Sequence, residues 1–407
     1  MYNRRISRPT ATNWLSQWRD KDVIKVVTGI HRCGKTTLFD LFREHLLNKG
    51  VRPSQIITID FEDPDLGEFK TYREAWSYIR GRMDLSRRSY VFLDEVQLVP
   101  EFEKLVDGLF SKKDCDVYIT GSNSKFLSGE LATYLTGRYV EIQVHPLSFA
   151  EYRPLFPDQP AGDLIQDYLR YGGFPFAVQL EKGSRAFKDY LSGILSTIIY
   201  KDVAARKGFR ETATLERLTR FIFDNIGNIQ SVNRIVGTFK AEGLSVPHAT
   251  LDNFLAALCE TFLVFKVNRY DIKGKDYLKT NAKYYVADTG LRRILLGDKR
   301  DDQGHLLENI VFLELKRRYQ DVFVGVLGPK EVDFVALDNA RPLYFQVALT
   351  VRDSDTLIRE LAPLKAIRDQ HPKFLLTLDN DLPVNHDGIR QLSVTEFLLN
   401  PRLTEML

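Results

Sequence analysis

The residues Gly29-Ile30-His31-Arg32-Cys33-Gly34-Lys35-Thr36 match the pattern G-x-x-x-x-G-K-[ST] in full. A β-branched run from Val23 to Val27 precedes the match, and apolar residues at helical spacing follow it, namely Leu38, Leu41 and Phe42. Strand, glycine loop and helix thus stand in the order that a phosphate-binding loop requires. The sequence therefore predicts a parallel α/β sheet with a phosphate site at the carboxyl end of its first strand.

Each part of this loop has a physical task. Glycines let the backbone wrap closely round a phosphate chain, and the start of the next helix offers free N–H groups and the positive end of a dipole. Lys35 reaches the β- and γ-phosphates, and the Thr36 hydroxyl is a ligand for Mg²⁺. We therefore expect a nucleotide to be bound by Gly29, Ile30, His31, Arg32, Cys33, Gly34, Lys35, Thr36 and Thr37.

A second acidic motif supports the same reading. Tyr90 to Val96 reads YVFLDEV, an apolar strand that ends in Asp94 and Glu95. Strands buried on both faces are apolar throughout, and ligands bind where they end. Asp94 is predicted to hold Mg²⁺, and Glu95 to polarise the attacking water as a general base. The alternative is a buried strand that ends in two solvated acids.

Three further strands are predicted, at Ile56 to Phe61, Val117 to Ser122 and Val140 to Val144. Ser122 and Asn123 end the second of these, where they serve either as a sensor of the γ-phosphate or as an ordinary helix cap. The connections predict a parallel sheet with helices on both faces. We expect the phosphate-loop strand and the Asp94–Glu95 strand to be neighbours in that sheet.

Four blocks of sequence carry a resemblance, GIHRCGKTTL, YVFLDEVQ, ITGSNSKFLSGELATYLTGR and PLSFAEY. They look like the prokaryotic AAA-type P-loop ATPases that are kin of the archaeal-type ATPases and have a C-terminal domain of unknown function. YGGFP, YKDV and KYYVADTGL extend the resemblance over almost the whole chain. It implies ATP and Mg²⁺ as cofactors. It also implies that Arg138 is an arginine finger, acting in cis or on a neighbour's site, with a surface arginine as the alternative.

Length and composition set the outer limits. A chain of 407 residues is long enough for two or three domains. No apolar run approaches the roughly 18 residues of a membrane span, and no signal peptide is apparent. Three widely separated cysteines predict neither a disulfide framework nor a zinc site and fit a reducing cytoplasm. The net charge of +3 is too small to indicate that the chain as a whole binds nucleic acid.

The N-terminal residues Arg4, Arg5 and Arg8 either approach a nucleotide or form a solvated basic tail.

We expect four domains: an ATPase core at 1–155, a helical lid at 156–225, a winged helix at 226–295 and a C-terminal domain at 296–407. The lid contains the amphipathic stretches Leu164 to Arg170 and Asp189 to Tyr200, the second followed by a basic cluster that is solvated or lies near the phosphates. The winged helix consists of two helices and a hairpin. This module either binds DNA phosphates or packs against protein. The side chains that would contact the phosphates are those of Lys266, Arg269, Lys273, Lys275, Lys279 and Lys283.

The C-terminal order of helix, strand, acidic strand and strand resembles the restriction-endonuclease-like fold. By that resemblance, Asp333 takes the place of the acid on the second strand and Glu308 that of a helix acid. The third strand departs from the pattern, with Gln346 and Ala348 where an acid and a lysine belong. A missing acid weakens Mg²⁺ binding and a missing lysine removes a group that activates water, so we predict an inactive domain.

The predicted function is Mg²⁺-dependent ATP binding and hydrolysis coupled to a conformational change on an unknown protein client. The alternative is a nucleotide-gated DNA-binding module with slow hydrolysis and no nuclease activity. DNA contact through the winged helix or the C-terminal domain, and a homo-oligomer, are further partner hypotheses. A membrane partner is not expected, and the predicted location is the cytoplasm.

Overall fold

A computed structural model describes residues 5–66, 69–84, 86–123, 135, 137–205, 208–209, 211–298, 302–380 and 384–401. The chain divides into two compact units. The first comprises Met1–His145 with Glu260–Phe262, and the second comprises Pro146–Cys259 with Leu263–Leu407. No helix within the described ranges combines the length and the apolar character that crossing a bilayer requires.

The first unit alternates strands and helices in the predicted order. Its helices are α1 (Pro9–Trp18), α2 (Lys35–Asn48), α3 (Tyr72–Arg80) and α4 (Phe102–Lys112). Its strands are β1 (Ile24–Thr28), β2 (Ile56–Asp60), β3 (Ser89–Asp94), β4 (Cys115–Gly121) and β5 (Tyr139–Gln143). All five are parallel, in the order β2-β3-β4-β1-β5. The predicted parallel sheet is confirmed.

One expectation about this sheet is wrong. The phosphate-loop strand β1 and the acidic strand β3 are not neighbours, because β4 lies between them and pairs with both. The register sets Thr28 opposite Gly121. Residues that follow β4 are therefore inserted between the loop after β1 and the two acids that end β3.

The central strands are buried on both faces, as their apolar sequences predict. Lys25, the second residue of β1, departs from this apolar pattern because it is a fully buried lysine. Its ammonium forms an ion pair with Asp116 of β4 and donates to the carbonyl oxygen of Lys21 at 2.9 Å. The Tyr118 hydroxyl also donates to Asp116, at 2.7 Å. This network compensates a lysine that would otherwise be costly to bury.

The second unit begins with helices. They are α5 (Phe149–Tyr152), α6 (Ala161–Tyr171), α7 (Arg185–Ser196), a π-helical stretch (Thr197–Ala205), α8 (Thr212–Asp224), α9 (Val232–Ala241) and α10 (His248–Glu260). Strands β6 (Val264–Asp271) and β7 (Asp276–Val286) form a hairpin, which α11 (Thr289–Leu296) and α12 (Gln303–Arg318) follow. The starts of α5, α7, α9 and α11 are fixed by side chains that accept from the first helical turn, namely Ser148, Ser184, Ser231 and Asp288.

The remaining elements are β8 (Asp321–Leu327), β9 (Lys330–Asp338), β10 (Arg341–Ala348), α13 (Ser354–Ala366), β11 (Lys373–Thr377), β12 (Val384–His386), β13 (Ile389–Ser393) and α14 (Val394–Leu399). Eight strands form one sheet in the order β12-β13-β11-β10-β9-β8-β6-β7. The predicted helix, strand, acidic strand and strand are all present, as α12, β8, β9 and β10.

This sheet and its core cross the expected domain boundaries. The hairpin predicted as a wing is not free, because β6 pairs with β8, whose strand lies beyond residue 296. One continuous core contains Tyr152, Leu169, Tyr285 and Phe334, which were assigned to four different domains. The first helix of the predicted lid thus packs with the C-terminal sheet. Apart from Glu260–Phe262, the chain from Pro146 onward belongs to one compact unit.

Candidate functional site

The phosphate loop joins β1 to α2 at the carboxyl edge of the first sheet. Two glycines explain its shape. Gly29 has a φ of 148°, and a Cβ there would lie 2.1 Å from the carbonyl oxygen of Val144. Gly34, with a φ of 101°, is the residue before the first helical turn. Both positions require glycine. α2 starts at Lys35, so its unpaired N–H groups lie in the loop.

The loop side chains divide into two groups. Ile30 and Cys33 are buried in the core, and burial raises the pKa of the Cys33 thiol. These two can serve a ligand only through their backbone. Thr36 and Arg32 are exposed, and Lys35 is buried. The loop therefore presents its amides, one hydroxyl and one ammonium at the edge of the sheet.

Lys35 is held between the loop and the acidic strand. Its ammonium donates to the carbonyl oxygen of Gly29 at 3.2 Å and lies 3.3 Å from Oε1 of Glu95. Burial acts to lower the pKa of Lys35, but nearby charges, chiefly that of Glu95, hold it above its ordinary value. Lys35 therefore stays positive. The two motifs that sequence analysis singled out meet at this ion pair.

Asp94 and Glu95 differ in environment although they are adjacent. Burial raises the pKa of Asp94, while hydrogen bonds from the Thr120 and Thr36 hydroxyls act to lower it. Burial acts likewise on Glu95, but the Lys35 ammonium and the Gln97 amide hold the pKa of Glu95 below its ordinary value. Asp94 thus lies against the threonine predicted as a metal ligand, and Glu95 is kept ionised.

The backbone at Glu95 has a φ of 48°, in the left-handed region, and its N–H donates to Oγ1 of Thr120 at 2.8 Å. The second carboxylate oxygen of Glu95 accepts from the Gln97 amide. Sequence analysis missed Thr120 and Gln97. Thr120 carried no signal without the strand order, whereas Gln97 stood two residues beyond Glu95 in the YVFLDEVQ block.

Ser122 and Asn123 follow β4, and both are buried. Since Gly121 is opposite Thr28, the chain leaves β4 beside Gly29. The structure therefore places both residues at the edge of the sheet that carries Lys35, Asp94 and Glu95. The helix predicted after them, at Leu131 to Leu135, lies outside the described residues except for Leu135.

Arg138 lies at the other end of the sheet. The N–H of Ile24, the first residue of β1, donates to the Arg138 carbonyl at 2.8 Å. Five residues of strand, about 16 Å, separate that point from Gly29. The half-exposed guanidinium pairs with Asp107 at 2.6 Å. Arg138 is therefore not brought to the phosphate loop of its own chain.

The N-terminal arginines do not behave alike. Arg5 is half-exposed and pairs with Glu44. Arg8 is buried and donates to the carbonyl oxygen of His145 at 2.6 Å. It also acts on the pKa of Cys33 in the phosphate loop. The solvated-tail interpretation is thus wrong for Arg8, while Arg4 lies outside the described residues.

A second polar cluster lies in the C-terminal sheet, where Glu308 of α12 and Asp333 of β9 were expected to meet. The Asp333 N–H donates to Oε1 of Gln346 at 3.4 Å, and the Val347 N–H donates to Oδ2 of Asp333 at 2.8 Å. Burial and the charge of Glu308 raise the pKa of Asp333 to about 8. The expected acids and Gln346 are thus together. The nuclease-like character of this domain remains a prediction.

Sequence analysis missed the residue at the centre of this cluster. Lys283 of β7, assigned to a phosphate-gripping wing, is buried and pairs with Glu308 and Glu331. That assignment is wrong for Lys283, whose ammonium faces carboxylates. In contrast, Lys266, Lys273 and Lys275 are exposed. Of the basic cluster after α7, Lys201 is exposed, whereas Arg206, Lys207 and Arg210 lie outside the described residues.

The family-marking motifs YGGFP and ADTGL contact one another. The Asp288 carboxylate accepts from the Gly173 N–H at 2.7 Å and from the Leu291 N–H at 3.2 Å. A Cβ on Gly172 would lie 2.1 Å from Asp288, and one on Gly290 would lie 2.3 Å from the carbonyl oxygen of Tyr171. Their role here is to join α6 to the start of α11.

Comparison with known proteins bears on both units. A family model described as an AAA domain matches residues 21–153, and one described as a domain of unknown function (DUF8612) matches residues 162–302. An uncharacterized protein of Methanocaldococcus jannaschii is 28% identical over 92% of this chain and 85% of its own. The solved Walker-type ATPase of Pyrococcus abyssi has 17% identity and a TM-score of 0.49, over 71% of this chain and 95% of that one.

A further relative spans nearly the full length of both chains. An uncharacterized protein of Haemophilus influenzae is 37% identical over 97% of this chain and 98% of its own length. Identity at this level over whole chains is what members of one family share. The chain therefore belongs to the same family as the Haemophilus influenzae protein, and residues 21–153 in its first unit match the model of an AAA domain.

Proposed function

We propose that this protein binds ATP together with Mg²⁺ at the phosphate loop and hydrolyses it, and that turnover drives a conformational change on a protein client. One observation carries the proposal. The Lys35 ammonium, the Thr36–Asp94 contact and the Glu95 carboxylate all lie at the carboxyl edge of one parallel sheet. Nucleotides bind at that edge in folds of this class.

The donor set fits a hard divalent cation. Asp94 is a buried carboxylate in contact with the Thr36 hydroxyl, and oxygen ligands of this kind suit Mg²⁺. Thr36 and Asp94 would hold the ion, which when bound supplies neutralising charge to the phosphates. The loop amides and the start of α2 bind the phosphate chain, and Lys35 contacts its outer phosphates.

Glu95 is the proposed general base. It is ionised because Lys35 and Gln97 favour its charged form. An incoming γ-phosphate competes with Glu95 for the Lys35 ammonium, so ATP binding releases one carboxylate oxygen to accept a proton from water. Ser122 and Asn123, at the same edge, contact the γ-phosphate or orient that water.

The test separates binding from chemistry. Lys35→Ala removes a charge beside the phosphates and should weaken nucleotide binding and turnover together. Glu95→Gln keeps the shape and removes the base, so ATP binding should persist while turnover falls on the order of 10²-fold or more. Fluorescent-nucleotide binding and phosphate release measure the two effects. Hydrolysis by Glu95→Gln at the wild-type rate would mean that Glu95 is not the base.

A second candidate is a nucleotide-gated DNA-binding module that hydrolyses slowly and does not cut DNA. It is favoured by the exposed Lys273 and Lys275 at the turn between β6 and β7. Lysines bind phosphates rather than read bases, so affinity should be similar for all sequences and fall steeply with salt. Changing both lysines to glutamate should weaken binding, and no measurable affinity at low salt would exclude this function.

A further inference from the structure

Three carboxyl groups surround one ammonium in the second unit. The Lys283 Nζ lies 2.9 Å from Oε1 of Glu308, 2.8 Å from Oε1 of Glu331 and 4.0 Å from Oδ1 of Asp333. These residues come from β7, α12 and β9, so three separate elements build the cluster. The Lys283 side chain is only 5% exposed. We call these four residues the lysine-filled pocket.

The pocket walls are fixed rather than loose. The Tyr285 hydroxyl donates to the same oxygen of Glu308 that Lys283 contacts. The Val347 N–H, on the adjacent strand, fixes Asp333. Glu331 is the most accessible member, with a side chain one-third exposed. Glu308 and Asp333 are thus preorganised, and Glu331 is the acid of this group that solvent reaches most.

The charges do not balance within the pocket. Three carboxyl groups face a single ammonium, so the lysine compensates only part of the negative charge that they can carry. Oxygen ligands from several carboxylates are what Mg²⁺, Ca²⁺ and Mn²⁺ prefer. Yet the acids are arranged around Lys283, and among the described side chains no group of three or more His, Cys, Asp or Glu is placed to hold a metal ion.

We propose that Lys283 is an internal cation that takes the place of a divalent metal ion and closes this pocket to metals. The ammonium is covalently tethered, so it is present at an effective concentration that free ions do not match. Removing it would leave buried carboxylates without a counterion, an arrangement that strongly favours uptake of another cation. This role is independent of ATP hydrolysis in the first unit.

The test replaces the lysine and measures metal uptake directly. Lys283→Met keeps the length of the stem and removes the charge. MnCl₂ is titrated into the nucleotide-free full chain by calorimetry. We expect Lys283→Met to gain one Mn²⁺ site per chain, with a Kd on the order of 10⁻⁴ M, at least about tenfold tighter than any binding by the wild type. The site should be lost again in the double variant Lys283→Met, Asp333→Asn.

A neighbouring lysine supplies the matched control. Lys266 lies on β6, the strand paired with β7, and is exposed. Lys266→Met removes the same charge from the same hairpin without touching the acids. It should bind Mn²⁺ no better than the wild type. A gain equal to that of Lys283→Met would overturn the proposal, because overall charge would then explain the uptake.

The remaining outcomes also decide between these possibilities. Asp333-dependent Mn²⁺ binding by the wild type would show that Lys283 does not close the pocket. If Lys283→Met is folded, by circular dichroism, but gains no site, the lysine is only a structural partner. If Lys283→Met is unfolded without metal, its refolding is repeated in the presence of Mn²⁺. The neutral variant Lys283→Gln is then tested in the same way. Restoration of folding by Mn²⁺ supports the proposal, and failure of both variants to respond overturns it.

Discussion

At the scale of single residues, Lys35 and Gln97 together favour the ionised form of Glu95. The Gln97 amide donates to one carboxylate oxygen of Glu95, while Lys35 lies beside the other. Both contacts hold the pKa of Glu95 down although burial acts to raise it. A general base works only when ionised. In the proposed mechanism, Gln97 is thus a positioning residue that helps to keep Glu95 ionised.

We expect Gln97→Leu to move the acid limb of the turnover–pH profile to higher pH. The amide that favours the charged form is lost, so the pKa of Glu95 rises and a smaller fraction is ionised on the acid side. Gln97→Glu should move the limb further, because a second negative charge opposes ionisation. Phosphate release measured across pH gives the limb, and nucleotide affinity should stay unchanged. Superimposable profiles for all three proteins would contradict this role.

The motif pattern could predict where Gly29 to Thr37, Asp94 and Glu95 lie, because both the loop between a strand and a helix and the end of an apolar strand are visible in the sequence. It could not predict Thr120, because that contact depends on β4 lying next to β3. Lys283 was missed for a different reason. Its sequence context resembles that of the exposed Lys266 and Lys273, and only pairing within the sheet turns its side chain towards Glu308.

At the scale of elements, α6 and α11 are joined through Gly172 and Asp288. Gly172 ends α6 with φ 74° and ψ −166°, and a Cβ would meet the Asp288 carboxylate. Gly297 ends α11 with almost the same backbone angles, φ 78° and ψ −171°, but nothing lies within 4 Å of its Cβ position. An alanine at Gly297 therefore introduces backbone strain alone, whereas an alanine at Gly172 introduces the same strain and a steric clash with Asp288.

Gly297→Ala should lower the free energy of unfolding by about 1–3 kcal/mol, the usual cost of a non-glycine residue in this backbone region. Gly172→Ala should lower the free energy of unfolding by about 2 kcal/mol more, because the added Cβ also displaces the buried Asp288 carboxylate from the N–H groups that donate to it. Urea unfolding followed by far-ultraviolet circular dichroism compares the variants. Equal losses would show that the contact with Asp288 contributes nothing.

The predicted strand order, with β1 beside β3, is wrong, because β4 lies between them. Periodicity predicts β1 and β3 individually, but a crossover helix allows the next strand to join the sheet on either side of an earlier one. Only the pairing registers of β4 reveal that it separates them. The hairpin illustrates the same limit, since the sequence of β6 does not disclose that β8 pairs beside it.

At the scale of the whole molecule, Arg138 bears on assembly. It lies beside the start of β1, about 16 Å along the strand from the loop that it was expected to serve. A finger role in cis would need that distance to be closed within one chain. We therefore propose that, if Arg138 stabilises the transition state, it does so at the site of a neighbouring copy, which makes the active form a homo-oligomer.

Mixing two inactive variants tests this arrangement. Arg138→Ala should retain ATP binding and lose turnover, because the guanidinium meets charge that develops in the transition state. Glu95→Gln should also retain ATP binding and lose turnover, because it removes the proposed general base. In a mixed oligomer, a Glu95→Gln subunit still offers its Arg138 to the intact Glu95 of an Arg138→Ala neighbour, so one working site forms. Phosphate release should therefore reappear on mixing and depend on total protein concentration.

Arg5→Ala, which removes a half-exposed guanidinium elsewhere on the first unit, is the control and should keep wild-type turnover. If the mixture stays as inactive as its components while light scattering shows that they co-assemble, Arg138 does not act across subunits.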